Sequence, residues 1–410
     1  IVDDSRKAMA HVASNFYGNP SRSFSLVGVT GTNGKTTTTY LVEQIARAAM
    51  KRTGVIGTVG IEIAGKHEKA THTTPESPDL QETFSRMRDA HCDVVAMEVS
   101  SHALDLLRTW NTDFAVTAFT NLTQDHLDYH HTFEAYFEAK ALLFSKDYPA
   151  KRVICIDDKW GKELLRRCSA ADDQVITTGF DTTAQIHPVS VELAATHTSV
   201  VLEVRGRRVA FDYPLVGRFN VSNIMCAYAI AMALGIPQDV IVSALSEAPQ
   251  VPGRLERVKA ANDGGISVFV DYAHTPDALR KAVSSIKALS TGRTIVVFGC
   301  GGDRDATKRS IMGGVALDAD YAVVTSDNPR TEDPDAIIAD IVSGMSDGQG
   351  RFEVVPDRQS AIARAIAIAK PGDSVLIAGK GHENYQIIGS ETRHFDDREA
   401  AAEELEKAFA

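Results

Sequence analysis

The sequence predicts an α/β protein: a P-loop central domain with a mostly parallel sheet, followed by a Rossmann-like α/β C-terminal domain. Two observations carry this. In the C-terminal half an apolar run stops four times at a cluster of Gly, Asp, Asn, His or Arg, in VFVDYAHTP, IVVFGCGGDRD, AVVTSDNPR and VLIAGKGHE. Short Val/Ile-rich runs separated by helical stretches read as buried parallel strands, and ligands of such sheets gather outside the strands' carboxyl ends. In the N-terminal half FSLVGV (24–29) runs straight into GTNGKT (31–36) and then a helical stretch. Strand, Gly-rich loop, Lys-Thr and helix in that order make a phosphate cradle.

Taken along the chain, residues 1–23 read as a short helical lead ending at the turn-like GNPS (18–21). From 24 to 247 strands alternate with helices: the P-loop unit, CDVVAMEV, FAVTAFTNL and RVICID, then the alternating TSVVLEVRGRRVAFDYPL, which reads as an antiparallel hairpin. A helix opening at Asn220-Val221-Ser222-Asn223 closes that domain. APQVPG (248–253) has the proline and glycine of a linker, and 248–410 form the second α/β domain. There is no internal repeat and no low-complexity tract.

With 410 residues the chain accommodates two or three domains, and 44% hydrophobic with 24% charged residues is ordinary for a soluble protein. A net charge of −11 argues against a nucleic-acid binder, which needs a basic face, yet permits an anionic small substrate at a locally basic site. No apolar run spans a bilayer and IVDDSRKAMA is no signal peptide, so no membrane partner and a cytoplasmic location are expected. Cys92, Cys155, Cys168, Cys226 and Cys300 are scattered without a CxxC and read as buried reduced thiols. The chain starts with Ile, as expected of a fragment whose N-terminal part is missing.

In the cradle, successive backbone N–H groups and the helix N-terminus hold phosphate oxygens, Lys35 reaches the outer phosphates, and the Thr36 hydroxyl is a Mg²⁺ ligand. The loop is shorter than GxxxxGK[ST], whose first glycine falls on Val29. Glu98, leaving CDVVAMEV, either completes a Mg²⁺ shell or is a solvated strand end. From Thr132 onward Phe133, Tyr136, Phe137 and Phe144 fall at helical spacing, and Lys140 lies on the same stripe. An inward lysine must be paired, neutralised or modified, or else snorkel to the surface. His126 is a metal ligand or a satisfied loop histidine, while His130 and His131 read as caps of the helix start. In the second domain Asp271 and His274, GGDRD (301–305), DNPR (327–330) and GKGHE (379–383) share one face. Arg304 and Arg330 among acidic residues suit bidentate recognition of a carboxylate, although DNPR alone also reads as a turn with an N-cap. Arg254, in the linker, is a candidate to swing onto a nucleotide phosphate when the domains close.

In order, GVTGTNGKTTTT, HTTPE, MEVSSHALDLLR, FTNLTQDHLDYHHTFEAYFEAKALLF, GRFNVSN, VPGRLE, VDYAHTPDAL, FGCGGDRD, DNPRTEDP and AGKGHENYQI resemble the Mur ligases, from about residue 24 to the end. The resemblance makes 1–23 the remnant of an N-terminal domain and linker, and that domain, which grips the uridine part of the substrate in this family, is otherwise lacking. It implies an ATP-dependent amide ligation through an acyl phosphate, joining meso-diaminopimelate to UDP-N-acetylmuramoyl-L-alanyl-D-glutamate in peptidoglycan synthesis, by a monomer. By resemblance Gly31, Thr32, Asn33, Gly34, Lys35, Thr36 and Thr37 hold ATP, with Asn220, Asn223, Arg254 and Asp271 near its adenine, ribose and phosphates. Two Mg²⁺ ions are implied, one on Thr36 and Glu98 and one on His126, and Lys140 matches the lysine that the family carbamylates with CO₂, so that it too helps hold metal. Lys35, Lys140 and His126 are the implied catalytic set. His72, Thr73, Thr74, Ser100 and Arg108, with Lys140, align with the muramoyl-dipeptide contacts; a glutamine common two residues before that arginine is Leu106 here. Arg304, Asp327, Asn328, Pro329, Arg330, Gly379 and Glu383 align with the amino-acid pocket, and the DNPR form goes with diaminopimelate, whose distal carboxylate pairs with the arginine. Rival readings are the lysine-adding version of the same ligase, a folylpolyglutamate synthetase-like or cyanophycin-type ligase, and a nucleotide-binding scaffold that has lost catalysis.

Overall fold

The computed structural model describes residues 2–168, 174–194 and 197–409. The chain forms two compact units, one of Ile1–Glu192, His197–Pro214 and Phe219–Pro249, the other of Leu193–Thr196, Leu215–Arg218 and Gln250–Ala410. Among the described residues, eleven strands make the first sheet: β1 (Ser25–Thr30), β2 (Thr53–Ile56), β3 (Ile61–Ile63), β4 (Lys66–Glu68), β5 (Val94–Glu98), β6 (Val116–Phe119), β7 (Lys151–Cys155), β8 (Val175–Thr178), β9 (Ile186–Leu193), β10 (Thr198–Val204) and β11 (Arg207–Tyr213). Their spatial order is β11-β10-β9-β8-β7-β6-β1-β5-β2-β3-β4. The centre is parallel, and β1 lies between β5 and β6. The chain builds outward on both sides of β1, so the crevice beyond its carboxyl end is the switch point at which open α/β sheets take ligands. β1 is apolar and buried almost throughout because helices cover both faces, whereas β10 and β11 alternate buried and exposed residues as an antiparallel pair should.

The second unit has a six-stranded sheet, β12 (Glu256–Arg257), β13 (Ser267–Asp271), β14 (Thr294–Phe298), β15 (Tyr321–Val324), β16 (Phe352–Val354) and β17 (Ser374–Ala378), in the order β12-β13-β17-β14-β15-β16. All are parallel except β12, and a small antiparallel hairpin of β18 (Tyr385–Ile388) and β19 (Glu391–His394) stands apart. The four polar clusters predicted at strand ends follow β13, β14, β15 and β17, which are neighbours in one sheet. Val270, Val297, Val323 and Ile377 are fully buried in its core. No helix among the described residues is long and apolar enough to cross a membrane. All five cysteines are free and buried.

Three local expectations are corrected. The helix expected at Asn220 begins at Arg218 and runs to Ala233. The stripe through Phe144 is broken: the α-helix spans Phe133–Ala141 and Phe144 sits in a 3₁₀ turn, Leu142–Phe144. Neither His130 nor His131 caps it. The Thr132 side chain accepts the Ala135 N–H, while His130 belongs to a separate turn, Leu127–His130, buried with its Nε2 2.9 Å from Ser101 Oγ. A threonine hydroxyl beside the first free N–H groups is the better cap.

Candidate active site

The loop after β1 is tied down by the loop after β6. Thr32 N–H donates to the Asn121 carbonyl (2.8 Å), Asn33 N–H to Asn121 Oδ1 (3.0 Å), and Thr120 Oγ1 and Asn121 Nδ2 both donate to the Asn33 carbonyl (2.6 and 3.0 Å). Gly31 (φ +145°) and Gly34 (φ +86°) take backbone conformations that side chains disfavour, and both are crowded. A Cβ on Gly31 would lie 1.9 Å from Thr120 Oγ1, and one on Gly34 would lie 2.2 Å from Asn223 Oδ1. Asn223 is thereby placed against the cradle, its Nδ2 donating to Asn220 Oδ1 (2.9 Å), and both asparagines are buried. We predict that Gly31→Ala lowers stability by about 1–3 kcal/mol, from backbone strain alone, and weakens binding of an ATP analogue. Denaturant melts and calorimetry check this; unchanged nucleotide affinity would contradict it.

Glu98, buried at the end of β5, is the hub. It accepts Thr36 Oγ1 (2.9 Å), Thr58 N–H (2.9 Å) and Thr58 Oγ1 (3.1 Å), while its main-chain carbonyl accepts Thr74 Oγ1 (2.9 Å). From there the contacts continue outward: Ser100 N–H donates to Thr74 Oγ1 (3.1 Å), Thr58 Oγ1 meets Thr73 Oγ1 (3.2 Å), and Arg108 Nη1 donates to the Thr74 carbonyl (3.0 Å). Glu76 pairs with Arg108 (2.8 Å) and Arg6 (3.4 Å), and Arg6 Nη1 also donates to the Leu106 carbonyl (3.3 Å). Thr73, Thr74, Ser100 and Arg108 are thus gathered. His72 is not; it is exposed and contacts Thr71.

Lys140 points inward, 1% exposed, and its Nζ donates to the Gly31 carbonyl (2.9 Å), which also receives Lys35 Nζ (3.0 Å). Burial, then the charge of Lys35, hold the Lys140 amine well below its ordinary range despite Asp125. Snorkelling is therefore excluded, and the amine is poised to be neutral. His126 packs edge-on against His102 (4.8 Å between ring centres), 3.3 Å from Asp125. One edge of the ring is open to solvent, yet desolvation by the side chains crowded around the rest pushes its imidazole below the usual range, against the pull of Asp125, leaving a lone pair available to a metal.

Among the described residues no group of three or more His, Cys, Asp or Glu side chains is placed to hold a metal ion. The donors nonetheless suit Mg²⁺, which takes one or two carboxylates and keeps its other positions for phosphate and water. Thr36 and Glu98 offer adjacent hard oxygens. Near His126 the Asp125 carboxylate lies at 3.3 Å, and a carbamate on Lys140 would add a further hard oxygen donor.

In the second unit Arg254 lies over the Tyr272 ring (4.6 Å), and Asp271 accepts the Leu255 N–H (2.7 Å). Burial raises the Asp271 carboxyl to about 6, although Arg254 opposes this. The loops after β14 and β15 are laced together: Arg330 Nη1 donates to the Gly302 carbonyl (2.7 Å), Gly302 N–H to the Asn328 carbonyl (2.9 Å), and Asp303 accepts Thr331. A Cβ on Gly301 would meet Arg330 Nη1 at 2.9 Å and Arg304 Cγ at 3.9 Å, so both arginines flank that glycine. Gly379 (φ +120°) passes so close to Asp327 that a Cβ would lie 2.5 Å from its Oδ2, and Asn328 Nδ2 donates to Glu383 Oε2 (2.8 Å). Beneath them the fully buried Arg358–Asp397 pair (2.7 Å) fixes the end of β17 through the Ala378 carbonyl (3.1 Å). Sequence reasoning gave no role to Thr58, Glu76, His102 or Lys380. HTTPE and GKGHE contain two of them, but only the folded contacts single them out.

A phosphate cradle whose carboxylate joins it to a second polar set defines a nucleotide-dependent enzyme of the P-loop class. The chain belongs to the Mur ligase family: residues 29–231 match the Mur ligase middle domain and 253–381 the Mur ligase, glutamate ligase domain. It is 48% identical over 408 residues to the UDP-N-acetylmuramoyl-L-alanyl-D-glutamate--2,6-diaminopimelate ligase of Gloeobacter violaceus, covering 99% of this chain and 82% of that one. The enzyme of the same name from Bacillus cereus is 44% identical, with 99% and 83% covered. A solved structure of a ligase of that name superposes with a TM-score of 0.70 at 33% identity, covering 98% and 83%. Folylpolyglutamate synthase of Mycobacterium tuberculosis complexed with ADP gives a TM-score of 0.76 at 21% identity, covering 92% of each. That higher score reports the shared fold alone.

Proposed function

We propose that the protein joins meso-diaminopimelate to UDP-N-acetylmuramoyl-L-alanyl-D-glutamate in peptidoglycan synthesis, with ATP converted to ADP and phosphate. One observation carries this reading: Glu98 joins the nucleotide cradle, through Thr36, to the Thr74–Ser100–Arg108 set. A phosphoryl group and the carboxylate that receives it must meet at such a point.

In this reading residues 31–37 with Asn220 and Asn223 cradle the phosphates, and Arg254 and Asp271 complete the nucleotide contacts. Thr73, Thr74, Ser100 and Arg108 orient the dipeptide, with His72 at their edge. The D-glutamate carboxylate oxygen attacks the γ-phosphorus and the bond to ADP breaks; Lys35 stabilises the charge on the transferred group. The amine of diaminopimelate, held by Arg304, Asp327, Asn328, Pro329, Arg330, Gly379 and Glu383, attacks the acyl carbon. Phosphate leaves and the amine gives up a proton. Mg²⁺, two ions when bound, draws charge off the phosphate oxygens. Thr36 and Glu98 would hold one, His126 and the Lys140 carbamate the other. The protein works as a cytoplasmic monomer on small molecules.

A coupled phosphate-release assay tests this. Release should require both the UDP-muramoyl-dipeptide and diaminopimelate. Equal release with lysine would favour the lysine-adding reading, release with a folate substrate the folylpolyglutamate one, and no release at all a scaffold.

A further inference from the structure

The turn after β17 buries a lysine that the reaction scheme does not use. Lys380 is 0% exposed; burial pulls its amine below the ordinary range while Asp327 and Glu383 pull it back, and a buried ammonium persists only where its hydrogens are taken up. Its Nζ donates to the Tyr385 carbonyl and to Asn328 Oδ1 (3.4 Å), and stands 3.6 Å from Glu383 Oε2. Asn328 Oδ1 also accepts the Ile387 N–H (2.9 Å), so both of its donors fix which way the amide points, and Nδ2 is directed at Glu383 Oε2 (2.8 Å). The backbone cannot give way here. Gly379 and Gly381 flank the lysine at φ +120° and +54°, and a Cβ on Gly381 would lie 2.7 Å from that of Tyr272 and 2.9 Å from the Gly253 carbonyl oxygen.

We propose that Lys380 is a positioning residue for the amino-acid substrate, its buried ammonium holding the Asn328 amide and the Glu383 carboxylate in the arrangement that grips the substrate's amino group. This rests on the assignment of Asn328 and Glu383 to the amino-acid pocket. The groups facing Glu383 are Asp327 and Arg330 in the loop after β15, Tyr272 after β13, the buried Arg358, and Lys380 and Tyr385 on its own segment. Burial and then Asp327 push the Glu383 carboxyl up, and Lys380 and the Asn328 amide pull it back. Without Lys380 the carboxyl takes a proton at higher pH, and a neutral acid no longer pairs with an ammonium group.

The test measures kcat and KM for diaminopimelate and for ATP in the full chain, as a function of pH, for Lys380→Met. Removing the buried ammonium takes away both its ion pair with Glu383 and its hydrogen bond to Asn328 Oδ1, and should raise KM for diaminopimelate about 30-fold or more, with KM for ATP within about twofold. The acid limb of kcat/KM for diaminopimelate should move to higher pH. Lys380→Gln keeps hydrogen-bond donors while losing the charge, carries the same expectation, and serves where the methionine variant does not fold. In a Glu383→Gln background the shift of the acid limb should vanish. An unmoved KM for diaminopimelate, an equal rise in KM for ATP, or an unmoved acid limb overturns the proposal. Failure of the pocket assignment itself looks different: Glu383→Gln and Asn328→Ala would then leave KM for diaminopimelate unchanged.

Discussion

Lys140→Ala is expected to lower kcat about 100-fold or more, the scale of losing one preorganised group that stabilises developing charge, and short carboxylic acids should restore part of it. The amine is fully enclosed, shares the Gly31 carbonyl with Lys35, and is held well below the usual lysine range by burial. Two ammonium groups on one carbonyl repel each other. A neutral amine, by contrast, attacks CO₂: an N–C bond forms, a proton leaves, and the product is a carboxylate beside Lys35 with oxygens for Mg²⁺. Rescue by added acid separates this from a purely packing role, since a small carboxylate does not refill a missing alkyl stem. Full activity of the alanine variant, or an unmodified Lys140 by mass spectrometry of the active enzyme, would contradict the carbamate.

Arg330→Ala should reduce activity with meso-diaminopimelate far more than it changes the weak activity with lysine. The main chain of Arg330 is held in a left-handed conformation (φ +53°) by the hairpin: its N–H donates to the Ile387 carbonyl (3.1 Å) and its carbonyl accepts the Gly389 N–H (2.7 Å). Strain of this kind in a non-glycine residue persists only where its surroundings impose it. Nη1 is anchored on the Gly302 carbonyl, and we propose that the rest of the guanidinium pairs with the second carboxylate that distinguishes diaminopimelate from lysine. Leaving a fully buried charge unpaired costs about 2–5 kcal/mol; Arg330 is only part-buried, so a preference near the low end, about 30-fold, is expected. Arg304 flanks the same glycine, so the double variant should lose more. Comparable kcat/KM for the two amino acids in the unmodified protein would show that Arg330 does not select between them.

The strand ends were legible because buried parallel strands are apolar throughout and stop abruptly at polar residues. The cradle was legible for the same reason, with glycines at 31 and 34 where positive φ leaves little alternative. Lys140 could be placed on an inward stripe by spacing, but its partner, the Gly31 carbonyl, lies 109 positions away in sequence. Periodicity carries no information about such a pairing. The run to Phe144 misled because apolar spacing continues through a change from α to 3₁₀ geometry. Lys380 is not legible inside GKGHE because a lysine between two glycines looks solvated; the loop after β15 and Tyr385 enclose it. The β18–β19 hairpin is short and its second strand exposed, so nothing in its composition announces that it holds Arg330.

In the proposed reaction the D-glutamate carboxylate is phosphorylated and its acyl carbon is then attacked by the amine of diaminopimelate. Its most direct test supplies the UDP-muramoyl-dipeptide with ¹⁸O in its carboxylates, together with ATP, Mg²⁺ and meso-diaminopimelate, and follows the label by mass spectrometry. One labelled oxygen is expected in each phosphate released, together with a product enlarged by diaminopimelate. Unlabelled phosphate, or phosphate released at the same rate without diaminopimelate, would contradict it.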